Sequence, residues 1–171
     1  MIQEIKPDKQ IDQKLRENSI VVFLGGTIEN GTAEIWSSYV IEKMKLTQGM
    51  EYDVIFLNPR RDSWDSEWTQ KQSNPQFNEQ VNWELDNIED SDIIFFNILP
   101  DSKSPITLME IGLCKDKKNV IVCCPDGFYR KGNVDIVCSR YGMQQYTDIH
   151  SAFGALLTEI NKESRNKKVS W

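Results

Sequence analysis

Four stretches of the chain are almost continuously apolar: S-I-V-V-F-L at 19–24, D-V-I-F-L at 53–57, D-I-I-F-F-N-I-L at 92–99 and N-V-I-V-C-C at 119–124. Short β-branched and aromatic runs without polar alternation predict strands buried on both faces, as in a parallel sheet. Between them the apolar period lengthens to that of a helix. Ile35, Trp36, Tyr39, Val40 and Met44 share helical spacing within 33–46, and Gly49 stands beyond as a stop. Asn74-Pro75 opens a second helix with proline at its first position, running to about residue 89 with Phe77, Val81, Trp83, Leu85 and Ile88 along it. A third helix follows Pro105 to about residue 117, a short one is predicted over 134–142, and an amphipathic one over 149–163. A short strand near 145–147 brings the sheet to about five strands. Residues 1–18 are polar with Pro7 early and read as a loose arm or short helix; residues 164–171 read as a polar tail.

Strands alternating with helices imply right-handed crossovers, a parallel sheet and an α/β/α sandwich. We expect one domain over 1–171. Ligands in such sheets bind beyond the carboxyl ends of the strands. Here those ends are Gly25-Gly26-Thr27, Asn58-Pro59-Arg60-Arg61, Pro100-Asp101 and Pro125-Asp126-Gly127. The segment 62–74, polar but carrying Trp64 and Trp68, is long enough to be a lid or pocket wall.

Composition narrows the partners. With 39% hydrophobic and 27% charged residues the chain is ordinary for a globular protein, and its net charge of −6 argues against a polymeric nucleic-acid partner. A small nucleotide remains compatible, because a pocket can be locally basic. No run approaches the ~18 apolar residues of a membrane span, and the N-terminus lacks an apolar signal core. The expectation is therefore a cytoplasmic protein without a membrane partner. Cys114, Cys123, Cys124 and Cys138 show no C-x-x-C spacing and read as reduced structural thiols; neither a metal nor an organic cofactor is implied.

The chemistry centres on Glu110, a carboxylate within P-I-T-L-M-E-I-G-L, where an unpaired charge is costly to bury. Gly25-Gly26-Thr27 would let a ligand approach the backbone, or merely make a turn that needs glycine. Glu84 and Asp86 lie two residues apart on one helix and face different ways, so at most one points at a pocket. Asp101 follows the third strand directly, as a second carboxylate or as a loop cap. Two carboxylates flanking a glycosidic bond are the standard means of cleaving it, and the logic extends to N-glycosides. His150 reads as a helix-start or surface residue, the lysines of 162–168 as a solvated face, and Trp64, Trp68 and Trp83 as structural residues or base-stacking ones.

These motifs together resemble the nucleoside 2-deoxyribosyltransferase-like superfamily, in particular its compact phage and bacterial branch. The matching blocks are V-F-L-G-G-T, N-P-R-R-D, Q-V-N-W-E-L-D-N-I-E-D-S-D-I-I-F-F and P-I-T-L-M-E-I-G-L, in register from about residue 19 to 127. The resemblance implies a flavodoxin-like doubly wound fold. It also implies cleavage of the N-glycosidic bond of a 2-deoxynucleoside, with the deoxyribosyl group passed to another base or to water. Glu110 would be the nucleophile of a covalent deoxyribosyl-enzyme. Glu84 would assist near the base, and Asp101 would lie around base and sugar. Gly25, Gly26 and Thr27, with Met109 beside the nucleophile, would line the pocket, and Asn58, Arg60 and Arg61 would form its rim. The sequence departs from the family in carrying Thr27-Ile28-Glu29 where an aromatic usually follows the glycine turn. Arg60-Arg61 is also unusual for a neutral substrate and suits phosphate, as in the related deoxynucleoside 5′-monophosphate N-hydrolases. Family members are often homo-oligomers whose C-terminal residues complete a neighbour's site, a use the tail ending at Trp171 would fit. Two other readings stand beside this one: a nucleotide-binding module without turnover, and a glycohydrolase of a ribonucleotide or NAD-derived signal.

Overall fold

The central strand of the sheet, β2 (Ser19–Gly26), has seven of its eight residues fully buried. In the computed structural model, which describes residues 1–7, 9, 11–29, 33–50, 52–61 and 68–169 (side chains of 168 and 169 excepted), it lies between β3 (Asp53–Leu57) and β4 (Ile93–Asn97). Outward from β4 come β5 (Val120–Cys123) and β6 (Gln144–Tyr146), and outward from β3 comes β1 (Ile2–Ile5). All pairings are parallel. Without β1 the order is the flavodoxin-like doubly wound one, and the chain reverses its direction of travel between β2 and β4.

Alternation along each strand splits the core in two. Val21, Phe23, Ile55, Leu57, Ile94 and Phe96 face one side, and Ile20, Val22, Leu24, Val54, Phe56 and Phe95 face the other. The first side is covered by α1 (Gln13–Asn18), α3 (Pro75–Asp90), α4 (Pro105–Leu113) and α5 (Lys131–Tyr141), the second by α2 (Trp36–Leu46) and α6 (Ile149–Val169). Neighbouring residues Cys123 and Cys124 enter opposite cores, as period-two geometry requires. Local chemistry sets the helix starts: Asn74 caps α3 by accepting the Phe77 N–H at 3.1 Å, with Pro75 at the first position.

The N-terminal residues correct the expectation of a loose arm or short helix. α1 is indeed short, but residues 2–5 pair with Val54–Leu57 as a sixth, edge strand. The C-terminal reading is corrected as well, since α6 continues to Val169. Lys167 is only partly exposed: its Nζ donates to Asp92 Oδ2 at 2.8 Å and to the Ser19 carbonyl at 2.7 Å, tying the last turns of α6 to the start of β2. Among the described residues no helix is long and apolar enough to cross a membrane.

Candidate active site

At the reversal point Gly26 is in register with Asn97 of β4. A Cβ on Gly26 would sit 2.2 Å from the Asn97 carbonyl oxygen, and its φ of +146° disfavours any side chain. One on Gly25 would lie 2.3 Å from the Phe96 ring. Close packing against β4 therefore accounts for both glycines. Thr27 is buried and fully engaged. Its Oγ1 accepts the Leu99 N–H at 3.0 Å and shares hydrogen bonds with Ser102 Oγ (3.1 Å) and Ser104 Oγ (2.6 Å), while its carbonyl accepts from Trp36 Nε1. This hydroxyl knot holds Ser104 at φ 43°, ψ 48°, a left-handed conformation that is strained for serine and disfavoured before Pro105. α4 begins at the next residue. The turn after β2 thus fixes the launch of the helix that carries Glu110.

Glu110 lies one and a half turns into α4, buried, and its carboxyl makes no hydrogen bond among the described residues. Burial first, and then the charge of Glu84, push it from 4.5 up to about 8. Glu84, on α3, is raised to about 7, again chiefly by burial, against the lowering effects of the Gln80 hydrogen bond and the Arg61 charge. Gln80, one turn earlier on α3 and buried, donates from Nε2 to Glu84 Oε1 at 2.7 Å and to the Pro59 carbonyl at 2.9 Å. Its Oε1 accepts Arg61 Nε at 3.0 Å, and the Arg61 guanidinium lies 5.6 Å from the centroid of the Trp68 ring. A chain Arg61–Gln80–Glu84 therefore ends against Glu110. Near neutral pH such a pair holds about one proton between two carboxyls, an arrangement suited to acid–base and nucleophilic chemistry.

The other candidates are placed differently. Asp101 is exposed in the loop after β4 and makes no hydrogen bond or ion pair among the described residues. Asn58 is buried, donating from Nδ2 to Glu4 Oε1 and Ser37 Oγ and accepting the Arg60 N–H on Oδ1, which fastens the end of β3. Arg60 reaches the Ala33 carbonyl at 3.0 Å. Met109 points outward, 55% exposed. His150 contacts the Tyr39 hydroxyl through Nδ1, Trp83 packs on the first core, and Trp64 and Trp171 lie outside the described residues. The four cysteines are buried thiols, Cys114 and Cys123 pushed up to about 12 by burial. Among the described residues no three His, Cys, Asp or Glu side chains are grouped to hold a metal. A cavity of about 320 Å³ between α4 and α5 and a cleft of about 530 Å³ between the starts of α5 and α6 involve neither Glu84 nor Glu110. Sequence reasoning missed Gln80, Ser102 and Ser104. An uncharged amide and two loop serines give no signal until the fold brings them to charged or strained neighbours.

Six parallel strands in this order, with a buried Glu110 and a half-buried Glu84 facing it, define a doubly wound α/β protein with a carboxylate-based candidate site. A solved structure, a conserved protein from Enterococcus faecalis V583, has the same fold: TM-score 0.57, 11% identity, covering 85% of this chain and 99% of that one. No curated protein matches the sequence. Residues 19–128 match the family described as nucleoside 2-deoxyribosyltransferase like, and the chain belongs to that family.

Proposed function

We propose that this protein breaks the N-glycosidic bond of a 2-deoxynucleoside or its 5′-monophosphate and passes the deoxyribosyl group to another base or to water. The observation that carries the reading is the Glu84–Glu110 pair, Glu110 buried and Glu84 half-buried, both raised toward or past neutrality. In the reactive form Glu110 carries the charge and Glu84 the proton. The Glu110 carboxylate forms an ester bond to C1′ as the C1′–N bond breaks. The bonding pair leaves with the base nitrogen, which takes the Glu84 proton. Water or a second base then attacks C1′, Glu84 accepts the proton it loses, and the Glu110 ester is released. Gln80 and Arg61 favour charge on Glu84. In this reading Asp101 attends the sugar or base, and Asn58 and Arg60 support the pocket rim.

Incubation with deoxynucleosides and their 5′-monophosphates, with and without a free base, followed by chromatography of released base, tests the proposal. Base release or exchange that disappears in Glu110→Ala, with a deoxyribosyl adduct on the intact wild-type protein, is the expected result. Unchanged substrates throughout, or full activity in Glu110→Ala, would overturn it; affinity without turnover would point to a binding module instead.

A second copy of the chain is the partner this reading adds. Ile106, Met109 and Leu113 form an exposed stripe along the helix that carries Glu110, at the i, i+3, i+7 spacing of a helix seam. Analytical ultracentrifugation at micromolar concentration should show a homo-oligomer that Met109→Lys dissociates; a wild-type monomer would exclude it.

A further inference from the structure

The Gln80 amide is locked in one orientation. Both Nε2 hydrogens are used, toward Glu84 Oε1 and the Pro59 carbonyl, while Oε1 takes the Arg61 Nε–H. A flipped amide would set its oxygen against two acceptors and its N–H groups against a guanidinium. Glu84 Oε1 therefore always meets an N–H donor, and an oxygen so engaged is the poorer place for a proton. We propose that Gln80 is a positioning residue that keeps Glu84 Oε1 an acceptor and confines the exchangeable proton of the carboxyl pair to Glu84 Oε2 or Glu110. The role assigned to that proton rests on the glycosyl-transfer reading; its placement rests on the hydrogen bonds alone. The groups facing the pair are few. Glu84 meets Gln80 from its own helix, Arg61 from the segment after β3 and Glu110 from α4. Glu110 meets Glu84 and, one turn on, Cys114, which Lys117 also faces. Arg61 is steadied from its other side by Trp68. The Gln80 hydrogen bond lowers the hold of Glu84 on a proton, so the proton can change sides during a reaction. Without it Glu84 holds the proton more firmly.

The test uses the full chain with glutamate side chains labelled at the carboxyl carbon, titrated by NMR and assigned with Glu84→Gln and Glu110→Gln. Gln80→Met keeps the volume and removes all three hydrogen bonds. It should move the Glu84 titration up by about one pH unit, with the matching limb of the pH profile of base release moving by the same amount. A role confined to packing would lower stability and rate at every pH and leave the titration where it was; an unshifted Glu84 resonance overturns the proposal. If Gln80→Met does not fold, Arg61→Met removes the far anchor and its charge, and it too must raise Glu84, an unchanged titration there being equally fatal. Should the carboxyl resonances shift as expected while the wild-type protein releases no base, the glycosyl-transfer reading falls and the proton placement stands.

Discussion

Replacing Glu110 by glutamine should stabilise the fold, by an amount that grows with pH. The carboxyl is raised from 4.5 to about 8 by burial and by Glu84. Between those two pH values the native chain keeps a proton that the unfolded chain has given up. Unfolding then releases a proton, so stability falls as pH rises through this window and is untouched below it. Each unit of separation corresponds to about 1.4 kcal/mol, which sets an upper limit of roughly 5 kcal/mol for the whole window. Replacement removes both the burial cost of the charge and its repulsion with Glu84, so the gain approaches that limit near pH 8.5 and is under about 1 kcal/mol at pH 5. Urea unfolding at pH 5, 7 and 8.5, followed by tryptophan fluorescence and far-UV circular dichroism, measures the difference directly. A gain that stays flat across pH, or a Glu110→Gln protein less stable than wild type at pH 8.5, would refute the assignment of a Glu110 carboxyl raised by burial and by Glu84. The expected outcome has a plain meaning: the fold tolerates an unfavourable carboxyl that a packing role would not require.

Three further outcomes follow from contacts around the site. Gly26→Ala should cost about 3 kcal/mol or more, or prevent folding, because its Cβ would overlap the Asn97 carbonyl; a urea midpoint within error of wild type would contradict the register. Thr27→Val leaves the Leu99 N–H without its acceptor and breaks the hydroxyl knot. It should cost about 2–3 kcal/mol and raise hydrogen exchange at the start of α4, whereas Thr27→Ser should retain most of the stability. Lys167→Met should cost about 1 kcal/mol at low salt and less at 1 M salt, since the ion pair with Asp92 is partly exposed; an equal loss at both salt concentrations would show that the hydrocarbon stem, not the charge, matters.

What the sequence disclosed, and what it hid, follows from where each signal resides. β2 and β4 were legible because burial on both faces leaves an uninterrupted apolar run. β1 was not: Ile2–Ile5 is four residues long with only Ile5 fully buried, and its pairing is decided by the free edge of β3. The last turns of α6 were equally hidden, since a polar helix end is held by one lysine reaching an aspartate seventy-five positions away. Glu110 stood out as a charge among apolar neighbours, whereas Glu84 was one of two candidates on its helix, beside Asp86, until register with a family preferred it. Arg61 illustrates the limit of reading residue types. A guanidinium beside a strand end suits phosphate, but the fold turns its Nε toward Gln80, whose role depends entirely on which groups packing brings within 3 Å of its amide.

The position of β1 bears on how the sheet is assembled. Its partner β3 is synthesised well after it, with α1, β2 and α2 between. β2 and β3 need only the α2 crossover to pair, whereas β1 must wait for an edge that does not exist until β3 has docked. β1, made before its partner, is thus held in reserve as a long-range closure, the kind of contact that slows folding and leaves an edge open in the meantime. Cotranslational assembly would start from the β2–α2–β3 unit and work outward in both directions, with the site's own helices, α3 and α4, arriving before the sheet is complete on its far side.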